Sequence, residues 1–238
     1  MRYLNVFFWE WKHFVRSPFK IIALLLFVVA SVYGLHKGAN LFHKQTEEIK
    51  QIEVGVEEDR QKVLEDHYRT GNLAPEDRPW VDYSTSFWAS WSSYLHHFKR
   101  PSPAMVYSIG QSEQFGFYKR INCWASSYDP DLAEEIANPE RLQTGTLDFS
   151  FALLFLLPLV LMVLLYNLQS METEQGFMPL ISVQIPARNR WLLWRMSFYL
   201  VLLSMIILGL LLYGASLTNV FSETSLAISQ LFLYTILY

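Results

Sequence analysis

Apolar residues in this chain come in uncharged blocks: Ile21 to Leu35, Phe149 to Met171, Met196 to Ser222 and Thr224 to Tyr238 contain no Asp, Glu, Lys or Arg. A hydrocarbon layer of ~30 Å is crossed by about 20 helical residues, so the second and third blocks predict membrane spans at 149–168 and 191–215. The first block is shorter, but Lys20 and Lys37 can run their methylene stems toward headgroups, which extends it to a span at 20–36. The fourth block reaches only about 22 Å as a helix before the sequence stops. A carboxylate left inside hydrocarbon is costly. Residues 224–238 are therefore expected to be the start of a fourth span in a truncated chain, with a re-entrant or bundle-buried terminus as the alternative.

Ahead of the first span, Leu4, Phe7, Phe8, Trp11, Phe14 and Val15 recur at helical spacing, opposite Glu10, Lys12, His13 and Arg16. This predicts an amphipathic helix over 1–19 lying on the membrane surface, with Phe7, Phe8, Trp11, Phe14 and Arg16 as interfacial residues. A cleaved signal peptide fits less well, because the lead is long and aromatic and no small-x-small site follows Leu35. Basic residues in short flanks set orientation. Arg2, Lys12, Arg16 and Lys20 precede the first span and Arg188, Arg190 and Arg195 open the third, whereas Gly214 to Glu223 has none. The N-terminus and the 169–190 loop are thus expected in the cytoplasm and residues 37–148 outside, with Lys37 counting mildly against it.

The outer segment, His36 to Asp148, holds 12 basic and 18 acidic residues and is long enough to fold as a small domain. Ile49, Ile52, Val56 and Val63 step mostly by three and four among charged residues, so the first span is predicted to continue as an amphipathic helix over Leu41 to Tyr68, ended by Gly71 and Pro75. Phe87, Trp88, Trp91, Tyr94, Leu95 and Phe98 predict another helix, stopped at Pro101, that serves as domain core or lies in the headgroup layer. A short helix is expected at Leu132 to Ala137. The expected fold is an all-α polytopic membrane protein with an extracytoplasmic, mainly helical inserted domain.

At 52% hydrophobic, 16% aromatic and 17% charged, the 238 residues are too apolar for a disordered chain. A net charge of −3 without any basic concentration argues against nucleic acid as a partner. The single Cys123 forms no internal disulfide and reads as a packed small residue. The sequence has no phosphate-binding loop, H-E-x-x-H or G-x-S-x-G motif. Adjacent His96 and His97 would diverge on a helix and make a poor metal pair. Glu47-Glu48, Glu57-Glu58-Asp59 and Glu134-Glu135 read as solvated faces. Inside the spans the one acid or base is Arg195, near a span end, which disfavours a proton-coupled carrier. Pro158 predicts a kink in the second span.

The 169–190 loop concentrates the informative residues. Glu172 and Glu174 leave the membrane, Gly176 permits a sharp turn, and Phe177, Met178, Leu180, Ile181 and Val183 form a short apolar segment before Pro186 and the basic return at Arg188 and Arg190. Such a patch, tied at both ends to spans, marks a protein contact or a membrane-surface helix. The two carboxylates could hold the loop by pairing with Arg188, Arg190 or bases on a partner.

This run, E-x-E-x-G followed by a short helix, Pro186, a basic residue and a re-entering span, resembles the coupling loop of type 2 (ABC-2 type) ABC exporter permeases. The N-terminal helix ending in Arg16-Ser17-Pro18 is similar to that family's connecting helix. Pro101, Pro103-Ala104, Ser108, Gly110-Gln111, Asn138-Pro139, Gly145, Asp148 and the Pro158-bearing span to Tyr166-Asn167 resemble a subgroup with a large extracytoplasmic insertion between the first two spans. As an ordered set these motifs cover most of the chain. Departures fall at Phe177, where the family often has a small hydroxyl residue, at Arg195, where it often has Lys, and at Glu113 to Gly116.

The resemblance implies a six-span bundle, of which this chain holds three spans and part of the fourth, in a bacterial cytoplasmic (inner) membrane. It implies a permease subunit that is itself no enzyme and holds no cofactor. ATP and Mg would be bound by a partner ABC ATPase subunit docked on Glu172, Glu174, Gly176, Phe177, Met178, Leu180 and Pro186. A second permease, identical or paralogous, would complete the pathway, and residues 37–148 would be available to periplasmic or surface proteins. The alternative is a membrane-anchored sensor or scaffold whose outer domain binds a ligand or partner protein; a membrane enzyme with its site in that domain is a third reading.

Overall fold

Ser17 alone separates the first two helices, and Pro18 explains the break. A proline has no N–H to give a preceding turn, but at the first position of a helix none is needed. The Ser17 N–H closes the first helix on the Phe14 carbonyl at 3.0 Å, and the Ser17 carbonyl accepts Ile21 N–H at 3.3 Å to open the second. A computed structural model describes residues 3–70, 85–87, 95–110, 112, 117–121, 147–184 and 188–218. Among these the protein is mostly helical: α1 (Tyr3–Arg16), α2 (Pro18–Thr70), β1 (Leu95–Phe98), a 3-10 turn (Pro103–Val106), β2 (Tyr118–Ile121), α3 (Phe149–Leu165), α4 (Ser170–Glu174), α5 (Met178–Gln184) and α6 (Arg188–Leu217). Helices α2 and α6 are long and apolar enough to cross a membrane, and α3 is a shorter apolar helix.

The predicted first span and the amphipathic helix after it are one element, the 53-residue α2, about 80 Å long at ~1.5 Å per residue. Helix α3 shows how Pro158 is accommodated. Five residues before it, Ala152–Leu156, wind as a π turn with the Leu157 N–H on the Ala152 carbonyl, so the ladder widens where the proline interrupts it. Asp148 caps this helix, its Oδ1 accepting the Phe151 N–H at 2.7 Å. Helix α6 starts at Arg188 and ends at Leu217, beyond both predicted ends of the third span.

The chain divides into two units. Met1–Ala39, Val106–Ser108 and Leu147–Tyr238 make the first; Asn40–Met105 and Ile109–Thr146 make the second. In the first, Phe27, Leu35, Phe149, Leu164 and Tyr199 are fully buried, while Leu25, Leu26 and Val29 on α2, Phe155, Leu159 and Met162 on α3, and Leu200, Met205 and Leu212 on α6 are at least half exposed. A helix in a soluble core hides such side chains; here they form broad apolar outer surfaces.

In the second unit Ile49, Met105 and Ile109 are buried, and the buried Gln45 donates to the Ser112 carbonyl at 3.1 Å. Strands β1 and β2 pair antiparallel, Leu95 opposite Ile121 and Phe98 opposite Tyr118, and Lys99 N–H adds a rung to the Phe117 carbonyl at 2.8 Å. The helix predicted to run from Phe87 to Phe98 is therefore corrected at its end, where Leu95–Phe98 is a strand. Aromatic residues favour strands as soon as a partner strand supplies hydrogen bonds, and Tyr118–Ile121 does so. Strand alternation puts His96 and His97 on opposite faces, and His96 stacks on Phe98 at 6.0 Å. The inserted domain is thus not purely helical, and it does not own Val106–Ser108, which belongs with the apolar helices. Trp88 to Tyr94, the Leu132 to Ala137 helix and the 224–238 span lie outside the described residues.

Gly34 marks the tightest contact in the first unit. A Cβ there would lie 2.6 Å from the Asp148 carbonyl carbon and the Phe149 nitrogen, both backbone. Gly34→Ala is expected to cost about 1–3 kcal/mol by overpacking. Gly55→Ala, with nothing near its Cβ, should instead gain up to roughly 1 kcal/mol in helix propensity. Thermal unfolding in detergent reads both, and equal Tm values for the two variants would refute the close approach.

Candidate functional site

Between α3 and α6 the chain makes two short helices, and the glycine between them explains the E-x-E-x-G spacing. Gly176 has φ of +72°. Its N–H bonds the Thr173 carbonyl at 3.2 Å and the Phe177 N–H bonds the Glu172 carbonyl at 2.9 Å. These are the two bonds of a Schellman helix ending, whose left-handed residue is best supplied by glycine. The Phe177 carbonyl then accepts the Ile181 N–H at 3.1 Å, which starts α5. Phe177, Leu180 and Val183 are left 55%, 60% and 86% exposed, and Met178 is half-buried. Pro186 lies outside the described residues.

The two loop carboxylates have different fates. Glu174 is exposed and accepts from Ser170 Oγ at 2.8 Å. Glu172 turns inward, and its Oε1 accepts Arg195 Nη1. Of the pairings expected for the loop carboxylates, with Arg188, Arg190 or bases on a partner, the one seen for Glu172 is instead with Arg195 of α6; Arg190 lines an open groove with Leu193, Trp194 and Ser197.

Arg195 has a second carboxylate. Its Nε donates to Glu10 Oε1 on α1. Glu10 Oε2 accepts from the Tyr199 hydroxyl at 3.1 Å, and that hydroxyl accepts from Lys20 Nζ at 3.1 Å. Lys20 also lies over the Tyr199 ring at 4.7 Å, and the Arg195 guanidinium over the Trp191 ring at 4.7 Å. One chain of polar contacts therefore joins α1, the start of α2, the loop and the base of α6. Two formal cations face two formal anions, so the group is neutral as a whole.

The local sequence explains the assembly. Arg195 and Tyr199 are four apart on α6 and share a face. On α1, Phe7, Glu10 and Phe14 fall on one stripe; Phe14 is buried and Phe7 meets Phe198 edge-on at 5.6 Å. The sequence reading placed Glu10 on the solvated side with Lys12, His13 and Arg16 and took Phe7 and Phe14 as interfacial. The structure differs at these three positions: Glu10 is 3% exposed, Phe14 is buried and Phe7 half-buried, while Lys12, His13 and Arg16 are exposed and Phe8, Trp9, Trp11 and Val15 face outward. A buried guanidinium needs counter-charge more than α1 needs one more apolar contact. The signal was present, since Glu10 is the only acid in Met1 to Lys20 and Arg195 the only charge in the predicted span 191–215.

Satisfaction is uneven across the group. Both oxygens of Glu10 are bonded, whereas Glu172 Oε2 is buried with no hydrogen-bond partner. Nothing here is arranged as a nucleophile beside a base, and among the described residues no set of His, Cys, Asp or Glu could hold a metal ion. The arrangement fastens elements together. Arg195→Met would strand two carboxylates and is expected to cost roughly 3–5 kcal/mol. Adding Glu10→Gln and Glu172→Gln to it should restore much of the loss. Unfolding in detergent measures both, and an Arg195→Met variant no less stable than Arg190→Met would contradict the network.

Compared with known proteins, the chain matches no family model, no curated protein and no solved structure, so the functional reading rests on the chemistry of these residues and on the sequence pattern.

Proposed function

We propose that the chain is a transmembrane permease subunit of an ATP-driven ABC transporter of the type 2 exporter class, its cytoplasmic loop being gripped by a separate ATPase subunit. The observation that carries this reading is the buried link from Glu172 through Arg195 to Glu10. It ties an exposed apolar loop helix to the base of a membrane-length helix, which is what a lever needs. Phe177, Leu180 and Val183 offer the partner an apolar face in water. A push on α5 passes through the Gly176 turn and Glu172 into α6. The partner shifts the bundle only as far as its affinity differs between two states of the loop, so the loop must hold α6 firmly enough for the difference to be felt.

The exposed apolar faces of α2, α3 and α6 support contact with lipid, and the basic residues before α2 and at the start of α6 support a cytoplasmic N-terminus. On this reading α3 and the turn after it complete the 149–168 passage, and the inserted unit is extracytoplasmic. Helix α1 rests in the headgroup layer on Phe8, Trp9 and Trp11, with Lys12 over the Phe8 ring at 4.5 Å. ATP and Mg belong to the partner, and a second permease, identical or paralogous, lines the pathway in a bacterial cytoplasmic membrane.

Purification of the intact chain from its native membrane is expected to bring a stoichiometric ATP-hydrolysing subunit with it. Phe177→Asp, which alters an exposed side chain, should abolish that association while leaving Tm unchanged. Full retention of the ATPase by this variant would remove the docking surface. An assembly with no ATPase at all would leave the sensor or scaffold reading.

A further inference from the structure

Helix α6 presents one of its faces away from α1. Phe7 meets Phe198 and Glu10 meets Arg195, whereas Arg190, Leu193, Trp194 and Ser197, at steps of three and four, line an open groove on a different side of the helix. The groove holds about 260 Å³, less than the ~300–1,000 Å³ of pockets that enclose a whole small ligand. It seats only part of one. The same face continues along the helix through Val201, Ser204 and Leu208, all exposed.

The polar groups on this face are not alike. Ser197 Oγ donates to the Trp194 carbonyl at 2.8 Å and Ser204 Oγ to the Val201 carbonyl at 2.9 Å, so both hydroxyls are spent on their own helix and can lie against hydrocarbon. Arg190 is exposed, and among the described residues no carboxylate pairs with it. The loop acids are taken, Glu172 by Arg195 and Glu174 by Ser170. Helix α1 adds charge of the same sign: with Phe7 at Phe198 and Glu10 at Arg195 it runs antiparallel to α6, so the exposed Lys12 and Arg16 fall toward the Arg190 end. An unpaired guanidinium at one end of a long apolar face calls for an occupant with an anionic head and a hydrocarbon tail.

We infer that the α6 groove binds one acidic glycerophospholipid, its phosphate on the Arg190 guanidinium and an acyl chain along Leu193, Ser197, Val201 and Ser204. The guanidinium fork matches two phosphate oxygens, Trp194 stands where a headgroup-level indole is favoured, and the neighbouring bases select a head with net negative charge over a zwitterionic one. A transmembrane helix in the groove would supply the apolar contact but leave Arg190 without counter-charge. The site requires α6 to cross a membrane and needs no motor, so it and the permease reading fail separately.

Native mass spectrometry of the intact chain in detergent, titrated with dioleoyl phosphatidylglycerol or dioleoyl phosphatidylcholine, tests it. One phosphatidylglycerol is expected to bind at least about fivefold more tightly than phosphatidylcholine. Arg190→Gln should remove that preference, and Lys50→Gln, which takes the same charge from an exposed position on α2, should keep it. Ser197→Leu fills the groove and should weaken phosphatidylglycerol binding roughly tenfold with Arg190 intact. Equal affinity for the two lipids, an Arg190→Gln chain that still prefers phosphatidylglycerol, or unchanged binding by Ser197→Leu overturns the site. So does displacement of the lipid by inorganic phosphate, which shares its head but not its tail.

Discussion

A guanidinium withdrawn from water has to be met by negative charge, and at Arg195 that demand decides how four segments come together. Each carboxylate reaches it from a different part of the chain, Glu10 from α1 and Glu172 from the loop. Such a group is a poor source of net stability, because desolvation offsets most of the attraction; its effect is that any arrangement leaving one member unpaired is penalised heavily. Register follows from this. Rotating α1 by one residue would take Glu10 from Arg195, and letting α4 slip would strand Glu172 beside apolar side chains.

Apolar packing alone could not impose that register. Helix α6 has apolar side chains on all sides, so sliding or rotating it against α3 exchanges one aliphatic contact for another. Specificity comes from its ends. At its start stand the charges; toward its other end, Tyr107 on the Leu211 carbonyl and the ring against Gly214 leave little freedom. Gly34 against the backbone of Asp148 and Phe149 does for α2 and α3 what Gly214 does for α6, letting two chains approach where a methyl group would not fit. The middle of the bundle fills space, and the polar and glycine contacts at its ends choose which filling is used.

Legibility in the sequence divides along the same line. Long uncharged blocks and a three-to-four residue rhythm were enough to find α2, α3 and α6, because those elements are specified by many residues at once. Gly176 was readable as a turn because a left-handed position leaves glycine few substitutes. What periodicity misread was Glu10. A helical wheel sorts residues by polarity and sends every charge to the outside, so it has no place for a charge whose partner sits far away in the sequence. Leu95–Phe98 failed for a related reason: four residues without alternation carry no strand rhythm, and only the partner Tyr118–Ile121 decides the matter. That Val106–Ser108 pack with the apolar helices was invisible, because nothing in three residues says which unit they will join. In the π turn the proline announced the interruption but not that five residues before it would absorb it.

The uneven satisfaction of the charge group indicates where such a device would yield. Glu10 uses both oxygens, on Arg195 and on a tyrosine that is itself held by Lys20, whereas Glu172 offers Arg195 one oxygen and leaves the other buried and unbonded. An unbonded buried carboxylate oxygen costs free energy that an incoming donor or water could recover. The contact between α1 and α6 is therefore the fixed half of the joint and the contact between loop and α6 the half with somewhere to go. A force on α5 meets first the Gly176 turn, whose two backbone bonds keep α4 and Phe177 together, and then Glu172. Parting the pair without a replacement leaves the Glu172 carboxylate uncompensated, whereas Arg195 keeps Glu10, so the loop contact breaks at the cost of one stranded charge and the α1 contact is untouched. Any position between Arg195 and another donor is disfavoured for Glu172, because a buried carboxylate left without a partner is penalised more heavily than one paired at either place.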